Sequence, residues 1–287
     1  ELAPLFLPVI IVYGLFFVAP TVMSFFYSIT DWNGFEKNYD IVWFKNYIAA
    51  ITSDNRAIEA LIHTFEYAII ICTLQNLFGL IIALLANREF RSKAFVKTIF
   101  FMPNVFNALI VSFAWTYMYD PNLGLINEFL GHMGLDNLSH TVWLGDRNLV
   151  IFSIAATLIW QFTGTSMIMY LAGLQNIPEE LYEAIEIDGA NSWQKFKYIT
   201  FPLLAPAVTI NVVWSFIGTM KIFDHPFIMT NGGPGDSSQS ITTLVYDYAF
   251  SKGYYGYGSA IGVILFIIIA AISMTMTSFL RKREGHL

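Results

Sequence analysis

Long apolar stretches dominate the sequence and restrict the chain to a helical fold that crosses a membrane. Each stretch reaches or exceeds the roughly 20 residues that an α-helix needs to span the hydrocarbon core of a bilayer. None alternates apolar and polar residues as the strands of a membrane barrel do. We therefore predict an all-α membrane protein with a single transmembrane domain over residues 1–287. The six predicted spans cover approximately residues 3–29, 61–86, 94–119, 149–173, 203–229 and 258–280.

The composition supports a membrane protein. Hydrophobic residues make up 56% of the chain and charged residues only 13%, whereas soluble domains are about one quarter charged. The single cysteine, Cys72, lies in an apolar stretch, so it can form no internal disulfide and is expected to be a small core residue. The chain begins at Glu1 rather than at Met, and we expect a further N-terminal segment to precede it.

The distribution of Lys and Arg predicts the orientation in the membrane. An even number of spans places both termini on one side, and an excess of positive charge marks the cytoplasmic side. Five Lys and Arg residues lie in the connecting segments on the side opposite the termini, namely Lys37, Lys45, Arg56, Arg147 and Lys252. Nine lie on the side of the termini, namely Arg88, Arg91, Lys93, Lys97, Lys195, Lys197, Arg281, Lys282 and Arg283. Both termini are therefore predicted to be cytoplasmic.

A charged segment, residues 176–202, interrupts the apolar pattern between the fourth and fifth spans. Pro178 occupies a first helical position and is followed by two acidic residues, which suit the positive end of a helix dipole. Gly189 supplies a stop for this helix, and Asn191 with Gln194 has the spacing of a capping box that starts a second helix. The segment is predicted to form a cytoplasmic helix-turn-helix.

Apolar side chains give both short helices a face that could contact another surface. Leu181, Ala184 and Ile185 share one face of the first helix, and Trp193 and Phe196 lie on the second. Binding to lipid is disfavoured, because the first helix is acidic and the inner leaflet is anionic. A groove in a partner protein is favoured, with a structural cap on the helical bundle as the alternative.

The segment also resembles a known motif. Glu183–Ala184, then Gly189, and then Ile199–Thr200–Phe201–Pro202 fall at the spacing of the EAA loop of ATP-binding-cassette (ABC) importer permeases. Ile185 and Phe201 depart from the usual Ala and Leu, and both remain apolar. Residues 3–32, 84–127 and 228–250 are similar to the sugar-permease branch of that family, which includes the maltose and glycerol-3-phosphate permeases.

This resemblance implies a type I ABC importer permease fold and a role as half of a translocation pathway for sugars or oligosaccharides. The implied partners are a second permease subunit, a dimer of cytoplasmic ATPase subunits and an extracytoplasmic solute-binding protein, assembled in a bacterial-type cytoplasmic (inner) membrane. ATP-Mg would bind to the ATPase, and the sequence contains no GxxxxGK[ST] phosphate loop. We expect no catalytic residue, cofactor, metal or nucleic-acid partner for this chain. The residues implied in ATPase coupling are Glu183, Ala184, Asp188, Gly189, Ile199 and Pro202.

Polar and aromatic residues at membrane depth are the candidates for a substrate pathway, because such groups face a cavity or one another. Hydroxyls of a sugar need hydrogen-bond partners, and aromatic rings cover its apolar faces. The alternative for each polar residue is a hydrogen bond between helices. Lys221 and Asp224, spaced i,i+3, could either pair on one helix or make a polar contact in the transport path. The candidates are Asn104, Asn107, Trp115, Gln161, Asn211, Trp214, Lys221 and Asp224.

Other functional classes have weaker support. A self-contained secondary transporter or channel would show internal repeats, and we find no clear repeat. A membrane-embedded enzyme would need clustered catalytic groups, which the sequence does not bring together. His63 and Glu66 lack a third metal ligand nearby. Small residues such as Gly79, Gly262, Ala270 and Ala271 are expected to allow close helix packing.

Overall fold

The computed structural model describes residues 3–88 and 91–282, and Arg283 of the charge count above lies outside this part of the chain. Short π-helical segments, Gly14–Val18, Phe196–Thr200 and Asp247–Ser251, continue three of the α-helices. The α-helices are α1 (Ala3–Tyr13), α2 (Ala19–Tyr27), α3 (Lys45–Thr52), α4 (Asn55–Ala86), α5 (Lys93–Val105), α6 (Ala108–Met118), α7 (Leu125–His132), α8 (Val150–Gln175), α9 (Glu179–Ile187), α10 (Ser192–Lys195), α11 (Phe201–Leu203), α12 (Ala205–Met220), α13 (Asp224–Thr230), α14 (Ile241–Tyr246) and α15 (Tyr255–Arg281).

Four helices are long and apolar enough to cross a membrane unbroken. They are Phe6–Tyr27, Asn55–Ala86, Val150–Gln175 and Tyr255–Arg281. Two further pairs, each bent at a short break, meet the same test together, so the described residues contain between four and six candidate spans. The predicted all-helical architecture is confirmed.

The third predicted span is broken. The axes of α5 and α6 differ by 98°, so the prediction of one helix over residues 94–119 is wrong. Pro103 lies close to the break and lacks a backbone N–H, and Phe106 and Asn107 are extended. The Asn107 side chain then accepts the N–H of Leu109 at 2.8 Å and caps α6.

The fifth predicted span has different bounds from those expected. The helical axis turns by 65° between Leu203 and Ala205, and α12 ends at Met220 rather than continuing to residue 229. Beyond this end, the Ile222 carbonyl accepts hydrogen bonds from the hydroxyls of Ser240 and Thr242. These side chains satisfy a backbone group that a longer helix would have paired internally.

Buried polar side chains join the helices at the centre of the bundle, where α4 packs along α8 and α12. Tyr170 donates to Asn76 Oδ1 at 2.8 Å, and Asn76 Nδ2 donates to Ser215 Oγ at 2.8 Å. Gln75 Nε2 donates to Ser166 Oγ at 2.9 Å. In a membrane, such bonds help to select helix partners, because burial of apolar surface alone does not distinguish protein from lipid.

Two glycines allow backbones to approach closely. A Cβ at Gly79 would lie 2.5 Å from Ser166 Cβ, which confirms the predicted close packing at this position. A Cβ at Gly164 would collide with the backbone of Phe100 and Phe101. Gly262 differs, because a Cβ there would meet nothing within 4 Å, so the close contact predicted at Gly262 is wrong.

We expect Gly164→Ala to destabilise the bundle, since the new methyl group meets backbone atoms of α5 that cannot rotate away. Overpacking of this kind costs about 1–3 kcal/mol. Thermal unfolding in detergent should show a lower midpoint than that of the parent, whereas Gly262→Ala should not. An unchanged midpoint for Gly164→Ala would contradict the close approach of α5 and α8.

Candidate functional site

The charged segment folds as a helix-turn-helix unit, residues 176–202. Pro178 is extended and immediately precedes α9, so it is the N-cap rather than the first helical residue. Gly189 ends α9 with a left-handed backbone, φ +77°, where an L-residue costs about 1–2 kcal/mol. The N–H groups of Gly189 and Ala190 donate to carbonyls of the last turn of α9.

The second arm begins with the predicted capping box, which is confirmed. The Asn191 side chain accepts the Gln194 N–H at 3.0 Å, and the Gln194 side chain accepts the Asn191 N–H at 2.8 Å. These bonds satisfy two backbone donors that the start of a short helix leaves free. The chain then continues through the π-helical segment Phe196–Thr200 into α11.

Two side-chain links join the arms of the helix-turn-helix unit. Glu186 and Lys195 form an ion pair next to the turn. At the opposite end, the hydroxyls of Tyr182 and Thr200 lie 3.0 Å apart. Tyr182 also packs against the buried apolar cluster that lies between α8 and the start of α12, which includes Leu204. The base of the unit is thus attached to the bundle.

The outer surface of the unit is open. Of the residues implied in coupling, Glu183, Ala184, Asp188 and Gly189 are exposed, whereas Ile199 and Pro202 are half-buried. Several large apolar side chains are exposed as well, namely Leu181, Ile187, Trp193, Tyr198 and Phe201. Of the face predicted from Leu181, Ala184 and Ile185, the first two residues are exposed and Ile185 is half-buried. Acidic and apolar groups lie together on the open side.

A cavity of about 150 Å³ lies between α4, α8 and α12. Its polar lining includes Gln75, Thr165, Ser215 and Thr219, and Trp214 borders it. Thr165 Oγ1 is buried and has no hydrogen-bond partner among the described residues. A side chain added at Gly218, which also lines the cavity, would enter open space.

A family profile described as "Binding-protein-dependent transport system inner membrane component" matches residues 75–285. The chain belongs to this family. It is 33% identical to the probable starch degradation products transport system permease protein AmyD of Thermoanaerobacterium thermosulfurigenes, covering 99% of this chain and 93% of that protein. It is 34% identical to the multiple sugar-binding transport system permease protein MsmF of Streptococcus mutans, covering 99% and 94%.

The fold agrees with this membership. A permease chain in the crystal structure of a bacterial ABC transporter that imports the acidic polysaccharide alginate superposes with a TM-score of 0.85. The match covers 98% of this chain and 95% of that chain at 21% identity. The protein is thus an inner-membrane permease component of an ABC importer with the type I fold, and ATP hydrolysis belongs to a separate subunit.

The predicted pathway residues of the permease lie in different environments. Trp214 borders the cavity and is 67% exposed. Asn211 is buried and donates to the Ser166 carbonyl at 3.1 Å. Gln161 is buried too, and its amide bonds to the Phe106 carbonyl at 3.0 Å and to His225 Nε2 at 2.8 Å. Both ends of the Gln161 amide are therefore occupied within the protein.

The other candidates described next do not line the cavity. Trp115 packs against Trp160 with ring centroids 5.5 Å apart, and Asn107 caps α6. Lys221 and Asp224 are exposed, and among the described residues no ion pair joins them. Of the two alternatives for Lys221 and Asp224, the pairing on one helix is wrong, because α12 ends at Met220 and a new helix begins at Asp224.

Sequence reasoning overlooked three polar residues of the cavity, namely Gln75, Ser215 and Thr219. A signal for Gln75 was present, since an uncharged polar residue inside a long apolar stretch is costly unless it meets a partner or a cavity. Ser215 and Thr219 are four residues apart on α12 and so share a helix face. Among the described residues, no group of three His, Cys, Asp or Glu could hold a metal ion.

A charged latch, formed by Arg56, Asp236 and Asp247, joins α4 to the segment before α15. Arg56 donates to both carboxylate oxygens of Asp236 at 2.8 and 2.9 Å and to Asp247 at 3.0 Å. Two parallel bonds of this kind restrict geometry more than a single contact does. The hydrogen bonds from Arg56 hold the pKa of Asp236 below its ordinary value of 3.8, against the opposing effect of burial.

Because the pKa of Asp236 is lowered in the folded protein, the latch contributes its full stability above pH 3.8 and loses it as the pH falls through the lowered pKa. We expect Asp236→Asn to lower the unfolding temperature at neutral pH. We also expect the unfolding temperature of this variant to fall less than that of the parent when the pH is lowered. Thermal unfolding measured from neutral pH to well below pH 3.8 tests this linkage. The exposed Asp136→Asn is the control, and identical pH profiles for parent and Asp236→Asn would contradict the expectation.

Proposed function

We propose that this permease forms half of the translocation pathway of an ATP-driven importer of sugars or oligosaccharides. The observation that carries the proposal is the helix-turn-helix unit, whose base is packed on the bundle while its acidic and apolar outer surface stays open. The names of AmyD and MsmF, which refer to starch degradation products and to multiple sugars, support a carbohydrate substrate. In this proposal the open surface of the unit binds an ATPase subunit.

The topology that we propose has six spans, with α5–α6 and α11–α12 each counted as one crossing. The excess of Lys and Arg around residues 87–97 and 195–197 places the helix-turn-helix unit and both termini in the cytoplasm. The membrane is the bacterial-type cytoplasmic (inner) membrane. The remaining apolar surface, including Phe6–Tyr27 with no buried residue in its most apolar window, faces lipid and a second permease subunit.

The proposed mechanism assigns each part of the complex a separate step. An extracytoplasmic solute-binding protein delivers the sugar, and two cytoplasmic ATPase subunits bind ATP-Mg. Closure of the ATPases displaces the helix-turn-helix unit through Glu183, Ala184, Asp188 and Gly189, while Ile199 and Pro202 connect it to α12. The displacement changes the side of the membrane to which the pathway is open.

The cavity bordered by Trp214 is the proposed pathway segment. Its hydroxyl and amide groups can exchange hydrogen bonds with a sugar, and the indole can cover an apolar sugar face. The unpartnered hydroxyl of Thr165 supports this assignment, since a buried polar group without a partner is costly. Six further residues are proposed to contact the sugar in other states of the transport cycle, namely Asn104, Asn107, Trp115, Gln161, Asn211 and Asp224.

Lys221, exposed at the end of α12, is proposed to contact a polar or anionic carbohydrate. We expect Lys221→Ala to raise the substrate concentration required for half-maximal uptake, because a charge-assisted hydrogen bond contributes about 1.5–3 kcal/mol. Uptake measured at limiting substrate tests the role. Uptake equal to that of the parent would remove Lys221 from the pathway.

Reconstitution tests the proposed function as a whole. The permease would be inserted into proteoliposomes with its partner permease and ATPase subunits, and a panel of labelled mono- and oligosaccharides would be offered with the binding protein. We expect uptake of at least one carbohydrate that requires ATP and the binding protein. Carbohydrate uptake by the permease without the ATPase would instead support the alternative, a self-contained transporter or channel.

A further inference from the structure

The base of the helix-turn-helix unit contains a short chain of hydrogen bonds. Thr200 Oγ1 lies 3.5 Å from the Lys195 carbonyl, to which it donates. The Tyr182 hydroxyl lies 3.0 Å from Thr200 Oγ1, and either oxygen of this pair can be the donor. The chain runs from α9 through Thr200 to the first turn of the second arm.

Thr200 lies where the unit becomes part of the membrane bundle. It is the last residue of the π-helical segment Phe196–Thr200 and is 6% exposed. The chain passes from it into α11, bends by 65°, and continues as α12. A single π-helical turn leaves backbone bonds displaced from the α-helical pattern and is frequent at functional positions.

The two arms are otherwise joined weakly. Gly189 at the turn is exposed and adopts a backbone that only glycine occupies freely. Glu186 and Lys195 pair next to this turn, but the Glu186 side chain is 59% exposed and water screens the interaction. Tyr182, by contrast, is half-buried and packs against the apolar cluster that includes Leu174, Ile177 and Leu204.

We infer that Tyr182 is a positioning residue that transmits a displacement of α9 to α12 through the hydroxyl of Thr200. Without this bond, rotation at the Gly189 turn would absorb part of the displacement before it reached the bundle. The inference rests on the proposed function, since it assumes that an ATPase subunit moves the unit. It identifies the contact through which that movement is coupled to the pathway.

The test compares variants that keep the shape of the base and remove single hydroxyls. Tyr182→Phe and Thr200→Val each delete one partner, and Thr200→Ser retains the hydroxyl. Tyr254→Phe is the control, because it removes the hydroxyl of an exposed tyrosine that lies outside the unit. Sugar transported and ATP hydrolysed are both measured in proteoliposomes that contain the complete complex.

We expect Tyr182→Phe to lower the sugar transported per ATP hydrolysed by about fivefold, the factor that corresponds to one net hydrogen bond. Thr200→Val should give a similar loss, and the double variant should lose no more than either single variant. Thr200→Ser and Tyr254→Phe should keep the parental ratio. A defect that only weakened folding would lower the amount of active complex and leave this ratio unchanged.

The inference would be overturned if Tyr182→Phe transported as much sugar per ATP hydrolysed as the parent. Additive losses of this ratio in the double variant would also overturn it. Failure of the proposed function has a different signature, because then the parental complex itself would show no carbohydrate uptake that requires ATP. A loss of uptake in Gly189→Trp together with a parental ratio in Tyr182→Phe would retain the proposed function and reject Tyr182 as the positioning residue.

Discussion

Replacing Gly189 by Trp is expected to abolish ATP-driven uptake while the helical bundle remains folded. Gly189 has φ +77° and is exposed, and a Cβ there would meet nothing within 4 Å. The substitution therefore strains the turn by about 1–2 kcal/mol and places a large ring on the open surface of the helix-turn-helix unit. Both effects act on the proposed ATPase contact and neither reaches the core. Uptake and co-purification of the ATPase subunits are the measurements.

Gly134 offers a matched control elsewhere in the chain. It has nearly the same backbone, φ +76°, and equally open surroundings, but it follows α7 rather than α9. Gly134→Trp should therefore carry the same local strain and retain uptake. Gly189→Asn separates strain from bulk, because Asn tolerates the left-handed region better than most residues. Normal uptake by Gly189→Trp would contradict a role of this turn in coupling.

Replacing Gly218 by Leu is expected to reduce uptake by more than about tenfold, the effect of roughly 1.4 kcal/mol on the rate-limiting barrier. Gly218 lines the cavity of about 150 Å³ beside Trp214, and its position offers open space to a side chain. A leucine side chain at this position would occupy part of that volume. Substrate-stimulated ATP hydrolysis and sugar uptake should decrease, while thermal stability should be retained.

Gly262 provides the matched control for this prediction. It also lies within a long helix and would place a new side chain in open space, but it does not line the cavity. Gly262→Leu should keep most of the parental uptake, and Gly218→Ala should show an intermediate loss because its methyl group is small. Equal uptake by Gly218→Leu and the parent would place the sugar pathway elsewhere.

Much of the fold could be predicted because its signals are local. A run of apolar residues requires a helix in a membrane wherever it lies, so the long helices α4, α8 and α15 followed directly from the sequence. The breaks could not be predicted in the same way. Pro103 marks a possible kink, but the 98° change of direction is stabilised by Gln161 of α8, which donates to the Phe106 carbonyl.

The same distinction between local and long-range interactions applies to the candidate site. The helix-turn-helix unit depends on neighbouring residues, such as the left-handed Gly189 and the reciprocal bonds of Asn191 and Gln194, and short-range patterns predicted it. The cavity depends on helices that are distant in sequence. Gln75, for example, reaches Ser166 across 91 positions, and no local pattern specifies that contact.

By itself, the sequence determined the membrane class of this protein, its long helices, the turn at Gly189 and its membership in the permease family. Only the tertiary structure decided where spans three and five break, which polar side chains pair, and which of them line a cavity. The physical reason is the range of the interactions involved. Helix formation and capping depend on residues a few positions apart, whereas interhelical hydrogen bonds and cavities depend on how separate helices pack.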